Sequence, residues 1–202
     1  MPASLYRRRG KRLLDAALAA LGLALLSPLL LLVAAAIKLT DRGPVLFRQP
    51  RAGRGGRPFK ILKFRSMREG AAGPGVTARA DPRVTPVGRL LRKTKLDELP
   101  QLVNVLKGDM SFVGPRPELP KFVALFAEDY RLILSVAPGI TDYAAIRFRD
   151  EESELGAYAD AEEAYVRVVL PAKIALYRRY IEDIGLATDL RIIAATLKRI
   201  AA

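Results

Sequence analysis

Two adjacent carboxylates, Asp97 and Glu98, stand in the stretch KTKLDELPQLVNVLKGDMSFVGPRP, residues 93–117. An ionised carboxylate attacks phosphorus or holds a hard cation. Arg92, Lys93 and Lys95 lie just upstream and Pro100 falls in the first turn of an expected helix; both features favour the ionised form. Adjacent side chains cannot occupy one position, which suggests a division of labour between a nucleophile and a Mg²⁺ ligand. The same pair also reads as acidic decoration of a helix start. Further along, Gly114-Pro115-Arg116-Pro117 sets an arginine on a rigid turn, where its planar fork suits phosphate or simply faces water. Lys60, Lys63 and Arg65 are read as alternating along a strand and sharing one face, turned either to phosphate or to solvent.

The elements that must position these groups follow from spacing. Residues 45–49 and 59–64 are short strand-like runs around a Gly/Arg/Pro loop, hence a hairpin. Residues 69–86, rich in Gly, Ala and Pro, read as a mobile loop. Helices are expected over 87–95 and over 99–106, the second ended by Gly108. Phe122, Leu125, Phe126, Leu132 and Ile133 recur at helical spacing within 117–136, and Pro138-Gly139 stops that element. Residues 149–163 hold seven acidic side chains and one arginine, read as a solvated loop and helix face. Residues 171–200 form two amphipathic helices broken near Gly185, with Thr188 as candidate N-cap. Their basic residues, among them Arg178, Arg179, Arg191, Lys198 and Arg199, lie against anionic lipid or pack on the core.

Composition removes whole reaction classes. The 202 residues include no cysteine, histidine or tryptophan. Thiol nucleophiles, iron–sulfur clusters, cysteine zinc sites, Ser-His-Asp triads and H-E-x-x-H sites are excluded. No Walker A loop, G-x-G-x-x-G or G-x-S-x-G occurs. A net charge of +13 points to a polyanion: nucleic acid, lipid headgroups or phosphorylated substrates. A membrane-tethered nucleic-acid binder and a non-catalytic membrane scaffold therefore stand beside the enzyme reading.

Residues 16–37 form an uncharged run of 22. As a helix it extends ~33 Å, enough for a ~30 Å hydrocarbon core. Arg7, Arg8, Arg9, Lys11 and Arg12 precede it; Lys38, Arg42, Arg48, Arg51 and Arg54 follow. The positive-inside rule places both flanks in the cytoplasm, which a straight span cannot satisfy and a re-entrant segment can. Ser27-Pro28 lies mid-run, where proline favours a bend and Ser27 can satisfy a carbonyl left bare. An ordinary spanning helix with a proline kink is the other reading, and Ala34-Ala35-Ala36 leaves a cleaved signal peptide as a third. Asp15, beside Arg12, reads as an interfacial charge paired with a flank residue rather than as a catalytic group.

These residues together resemble the bacterial sugar transferases known as monotopic polyprenyl-phosphate phosphoglycosyl transferases, in their small, minimal form. The likeness runs nearly end to end: KRLLDAALA before a segment with central Ser-Pro, then KFRSM, LDELPQLVNVLKGDMSFVGPRP, PGIT and YRRYIEDIGLATDLRII. It implies a mainly α fold with a small β-hairpin (α+β), a re-entrant helix-break-helix membrane hairpin over residues 1–40 and a cytoplasmic catalytic domain with interfacial helices over 41–202. It implies transfer of a phosphosugar from a UDP-sugar to polyprenyl (undecaprenyl) phosphate at the bacterial inner membrane, releasing UMP, as the first membrane step of glycoconjugate assembly. By that likeness Asp97 attacks the sugar-bearing phosphorus and Glu98 helps hold Mg²⁺. Lys63 and Arg116 fall on positions linked with phosphate, Arg65 in the KFRSM stretch beside Lys63 is counted with them as phosphate-binding, and Ser27 and Pro28 fall on the helix-breaking pair. Anionic lipid is an implied partner, nucleic acid is not, and self-association is left open. One departure is plain: many members follow PGIT with Gly-Trp-Ala-Gln, whereas this chain has Asp142-Tyr143-Ala144-Ala145.

Overall fold

The computed structural model describes residues 6, 10–40, 42–68, 70, 77 and 81–201. Arg7–Arg9 and most of the expected loop at 69–86 lie outside these residues. The described residues are mainly helical, as the resemblance implied, and carry two small sheets where one hairpin was expected.

Helix α1, Lys11–Thr40, contains the whole apolar run. The expected break at Ser27-Pro28 is absent: α1 continues through Pro28 as one helix. The reason is local. Proline at 28 cannot donate to the carbonyl of residue 24, and the Ser27 hydroxyl donates to Ala24 O instead, at 2.8 Å. Near its start α1 is tied to the rest of the chain. Arg12 donates to Val105 O and Leu106 O, both at 2.7 Å, placing a cation on the C-terminal carbonyls of α3, Gln101–Lys107, where the helix dipole favours it. Among the described residues Asp15 makes no ion pair with a flanking cation; it is buried and accepts from Phe112 N at 3.1 Å. Ala19 packs with Ile61, Val105 and Met110, while Val33 and Ile37 pack with Phe64 and Leu91. Ile61 and Phe64 belong to one strand, so both halves of α1 rest on the same body. The opposite face leaves Leu18, Leu21, Leu25, Leu31 and Leu32 exposed.

Strands β1, Leu46–Ala52, and β2, Pro58–Phe64, pair antiparallel around a turn with Gly55 and Gly56 at positive φ, confirming the hairpin with longer arms. After β2, α2 spans Pro86–Lys93, opened by Thr85, whose hydroxyl accepts from Gly88 N at 2.9 Å. Lys95, left-handed at φ 58 and ψ 14, reverses the chain into a 3-10 turn, Leu96–Glu98, which leads into α3. Gly108, at φ 93, ends α3 as its spacing predicted.

Two strands were not foreseen. β3, Ser111–Val113, pairs in parallel with β4, Gly139–Thr141; each is only three residues long, too short for period-2 patterning to register. The crossover a parallel pair requires is made by α4, Pro120–Leu125, and α5, Ala127–Ile133. These replace the single helix expected over 117–136, the chain bending at Phe126 with φ −125 and ψ 42. Helices α6, Tyr143–Arg147, α7, Glu151–Leu155, and α8, Ala161–Ala164, follow, then a π turn, Tyr165–Val169, into α9, Leu170–Asp183, and finally α10, Leu186–Ala201. Phe122, Tyr130, Leu155, Leu170, Ile174 and Tyr177 form the largest apolar core. Thr188 lies inside α10 rather than capping it. Arg178 binds Asp129 at 3.0 Å and Arg179 lies over the Tyr143 ring, so these two serve packing. Leu186, Leu190 and Leu197 of α10 stay exposed.

β3 and β4 approach so closely at Gly114 and Gly139 that a Cβ on Gly139 falls 2.1 Å from Gly114 N. Backbone cannot yield there as a flexible side chain can. Gly139→Ala is expected to cost about 3 kcal/mol or more, read as a lowered midpoint in thermal denaturation; an unchanged midpoint refutes this packing.

Candidate active site

Three segments deliver the chemistry. β2 supplies Lys63, the 3-10 turn supplies Asp97 and Glu98, and the Gly114–Pro117 turn after β3 supplies Arg116. Asn104 of α3 holds β2 in register, accepting from Leu62 N at 3.0 Å and donating to Lys60 O at 2.9 Å. Sequence reading missed Asn104; its signal is an amide set among the apolar residues of LVNVL.

Glu98 is the electrostatic centre. Lys63 Nζ donates to its Oε1 at 2.8 Å, and Arg116 forks onto both oxygens, Nη1 to Oε2 at 3.2 Å and Nη2 to Oε1. Burial alone raises the Glu98 pKa; Arg116 and Lys63 outweigh it and hold the carboxyl well below its ordinary value. In return Glu98 raises Arg116. Lys63 is lowered, burial outweighing the pull of Glu98.

Asp97 is different. It is buried, and its Oδ1 is sealed without a hydrogen-bond partner. Burial raises its pKa and Glu98 adds to the rise, against the pull of Lys63, Arg92 and Lys95. An orphaned buried carboxylate oxygen is costly to the folded chain. Arg92, whose charge reaches Asp97, is held by Ser66 Oγ at 2.9 Å and Glu152 at 2.7 Å.

The other expected residues are not brought here. β2 ends at Phe64, so Arg65 lies beyond it, buried beside Ile37, Thr40, Thr85 and Val87 rather than at Glu98. Lys60 and Lys63 do not share a face, since positions three apart on a strand point oppositely; Lys60 is exposed while Lys63 meets Glu98. Ser27 and Pro28 stay exposed on α1. Asp142 is a further residue sequence reading did not assign. It is fully buried, with Oδ1 accepting from Ala145 N at 2.6 Å and Oδ2 from Arg116 N at 3.2 Å. Burial pushes its pKa up to about 6, against those two amides and the Arg116 charge.

The sequence model of the family described as Bacterial sugar transferase matches residues 6–202. The chain belongs to this family. UDP-glucose:undecaprenyl-phosphate glucose-1-phosphate transferase of Caulobacter vibrioides is 51% identical over 142 residues, which cover 68% of this chain and 53% of that protein. Undecaprenyl-phosphate glucose phosphotransferase of Komagataeibacter xylinus is 42% identical over 207 residues, covering 98% and 37%. The exopolysaccharide production protein ExoY of Sinorhizobium fredii is 36% identical over 204 residues, covering 93% and 83%. This sugar transferase family member thus spans about half the length of the first relative and about a third of the second.

For a member of this family the donor set can be tested against Mg²⁺. Among the described residues no three acidic side chains gather to hold a metal. Mg²⁺ usually takes one or two carboxylates and completes its shell with water and substrate phosphate. The orphaned Asp97 Oδ1 and Glu98 Oε2, which accepts a single hydrogen bond, are hard oxygen donors of that kind. The dyad fits a partial Mg²⁺ site that a diphosphate completes.

Proposed function

We infer that the chain transfers a phosphosugar from a UDP-sugar to polyprenyl phosphate, in two steps at Asp97. The Asp97 carboxylate attacks the sugar-bearing phosphorus; the bond from that phosphorus to the bridging oxygen breaks and UMP leaves with that oxygen. The aspartyl-phosphosugar is then attacked by a phosphate oxygen of the lipid, the acyl-phosphate bond breaks, the carboxylate is regenerated and polyprenyl-diphosphate-sugar leaves. Lys63 and Arg116 neutralise the diphosphate, and Glu98 keeps both cations in place between turnovers. Mg²⁺ held at Glu98 supplies further charge neutralisation when bound. The observation that carries this reading is the pairing of opposites in adjacent residues: a carboxylate bridging two cations beside one left with a bare oxygen.

Seating at the cytoplasmic face of the inner membrane belongs to the same reading, with residues 1–40 as the monotopic membrane element and 41–202 as the catalytic part. What supports both ends of α1 lying on one side of the membrane is that both halves of this unbroken helix pack against one body. The exposed leucines of α1 and α10 supply the apolar surface.

The test is UMP release by the full chain in lipid nanodiscs, supplied with undecaprenyl phosphate, Mg²⁺ and each of a panel of UDP-sugars. Release with one or more sugars and its loss on adding EDTA are expected. No UMP from any donor rejects the reaction; turnover that persists in EDTA rejects the metal.

A further inference from the structure

Asp142 stands where the chain departs from the commoner Gly-Trp-Ala-Gln sequence, and it makes two bonds that a glycine cannot. Through Oδ1 it caps α6. Through Oδ2 it reaches 26 residues back to the amide of Arg116. The side chain is 1% exposed, so water replaces neither bond.

The Arg116 amide is a special donor. Pro115 and Pro117 have no N–H, so the turn offers only Gly114 N and Arg116 N as backbone donors. Gly114 N donates to Thr141 O at 3.0 Å, and Pro115 O accepts from Gly139 N at 2.9 Å. With Arg116 N on Asp142 Oδ2, three bonds fasten the turn to residues 139–142 and carry the β3–β4 pairing onward after its backbone ladder ends. The third is the last fixed point before the Arg116 side chain departs toward Glu98.

We propose that Asp142 is a positioning residue, its carboxylate fixing the Arg116 backbone so that the guanidinium is aimed at Glu98 and at the substrate diphosphate. The part concerning substrate rests on the phosphosugar-transferase reading above. The cap on α6 and the hold on Arg116 are separable, because each uses its own oxygen. A serine at 142 keeps an acceptor for Ala145 N and leaves nothing for Arg116 N. An asparagine offers one carbonyl oxygen and turns N–H donors toward the other amide.

Amide hydrogen exchange on the substrate-free chain reads this directly. In Asp142→Ser and Asp142→Asn the Arg116 amide is expected to exchange faster while the Ala145 amide stays protected; Asp142→Gly is expected to release both. Protection of the Arg116 amide unchanged in the folded Ser and Asn variants overturns the proposal. Activity supplies the second arm. Asp142→Ser is expected to lower kcat/KM by roughly 10- to 100-fold, as small misplacements do, yet to change nothing further in an Arg116→Ala background. Equal losses in both backgrounds make Asp142 a general structural residue and also overturn the proposal. If the wild-type chain transfers no phosphosugar, the functional reading falls alone and the exchange result still decides the positioning claim.

Discussion

Asp97→Asn abolishes UMP release, lowering turnover by about 10³-fold or more, while the protein becomes at least as resistant to unfolding at neutral pH. The activity half follows from chemistry: a carboxamide is no nucleophile toward phosphorus and no covalent phosphosugar forms on it. The stability half follows from the site. Burial raises the Asp97 pKa, so the folded chain holds this proton more tightly than the unfolded chain does. The stability this brings is present at low pH and is lost as pH rises through the folded pKa. Asparagine carries no such charge and escapes that loss. Mass spectrometry of the wild type quenched with UDP-sugar but no lipid acceptor should find the added phosphosugar on Asp97, and Asp97→Asn should carry none. Normal turnover by the variant removes Asp97 as nucleophile.

The neighbouring substitution is expected to act in the opposite sense on stability. Glu98→Gln removes the charge that two cations share. Its folded pKa is depressed, so its contribution is full at neutral pH and is lost as pH falls through the folded pKa. Breaking a buried pair on one side costs about 3–5 kcal/mol. Arg116 is about a third exposed, so solvent screening trims this to about 2–3 kcal/mol, or roughly 5–10 °C in midpoint for a chain of this size. Without Glu98, burial lowers Lys63 further and Arg116 loses its anchor, so turnover falls by about 10²-fold or more. Thermal denaturation of wild type and variant at neutral and acid pH measures the difference, which should close in acid. A variant as stable as wild type at neutral pH rules out Glu98 as the keystone of the cluster. Two adjacent carboxylates that respond to neutralisation with opposite signs are the signature of one reactive group and one restraining group.

Much of this was legible in the sequence because it is local. Gly108 stops α3 through a left-handed φ and the hairpin is announced by its turn residues; each needs only near neighbours. The dyad was visible as a pair of residue types, and a division of labour between the two was read there. Their different surroundings were not, since Asp97 and Glu98 share the same local sequence and differ only in what β2 and the Gly114–Pro117 turn bring to them. Arg65 shows the converse. It looks equivalent to Lys63 along the chain, yet β2 ends before it and the side chain is turned to another part of the molecule. The α1 break failed for a reason equally small: one serine hydroxyl meets the carbonyl that proline abandons. β3 and β4 escaped notice because three-residue strands are defined by pairing across distance, not by pattern.

The packing of Ala19 on Ile61, Val105 and Met110, and of Ile37 on Phe64 and Leu91, carries a practical and an evolutionary consequence. Helix α1 is a wall of the same interior that holds Lys63 in place, so trimming the apolar segment to obtain a water-soluble fragment strips that interior open. Removing α1 is then expected to cost the fold itself, not merely an apolar surface. For the same reason the hydrophobic segment and the residues after it must change together in descent, and a chimera joining one member's α1 to another's remaining chain inherits two half-surfaces that were never fitted to each other.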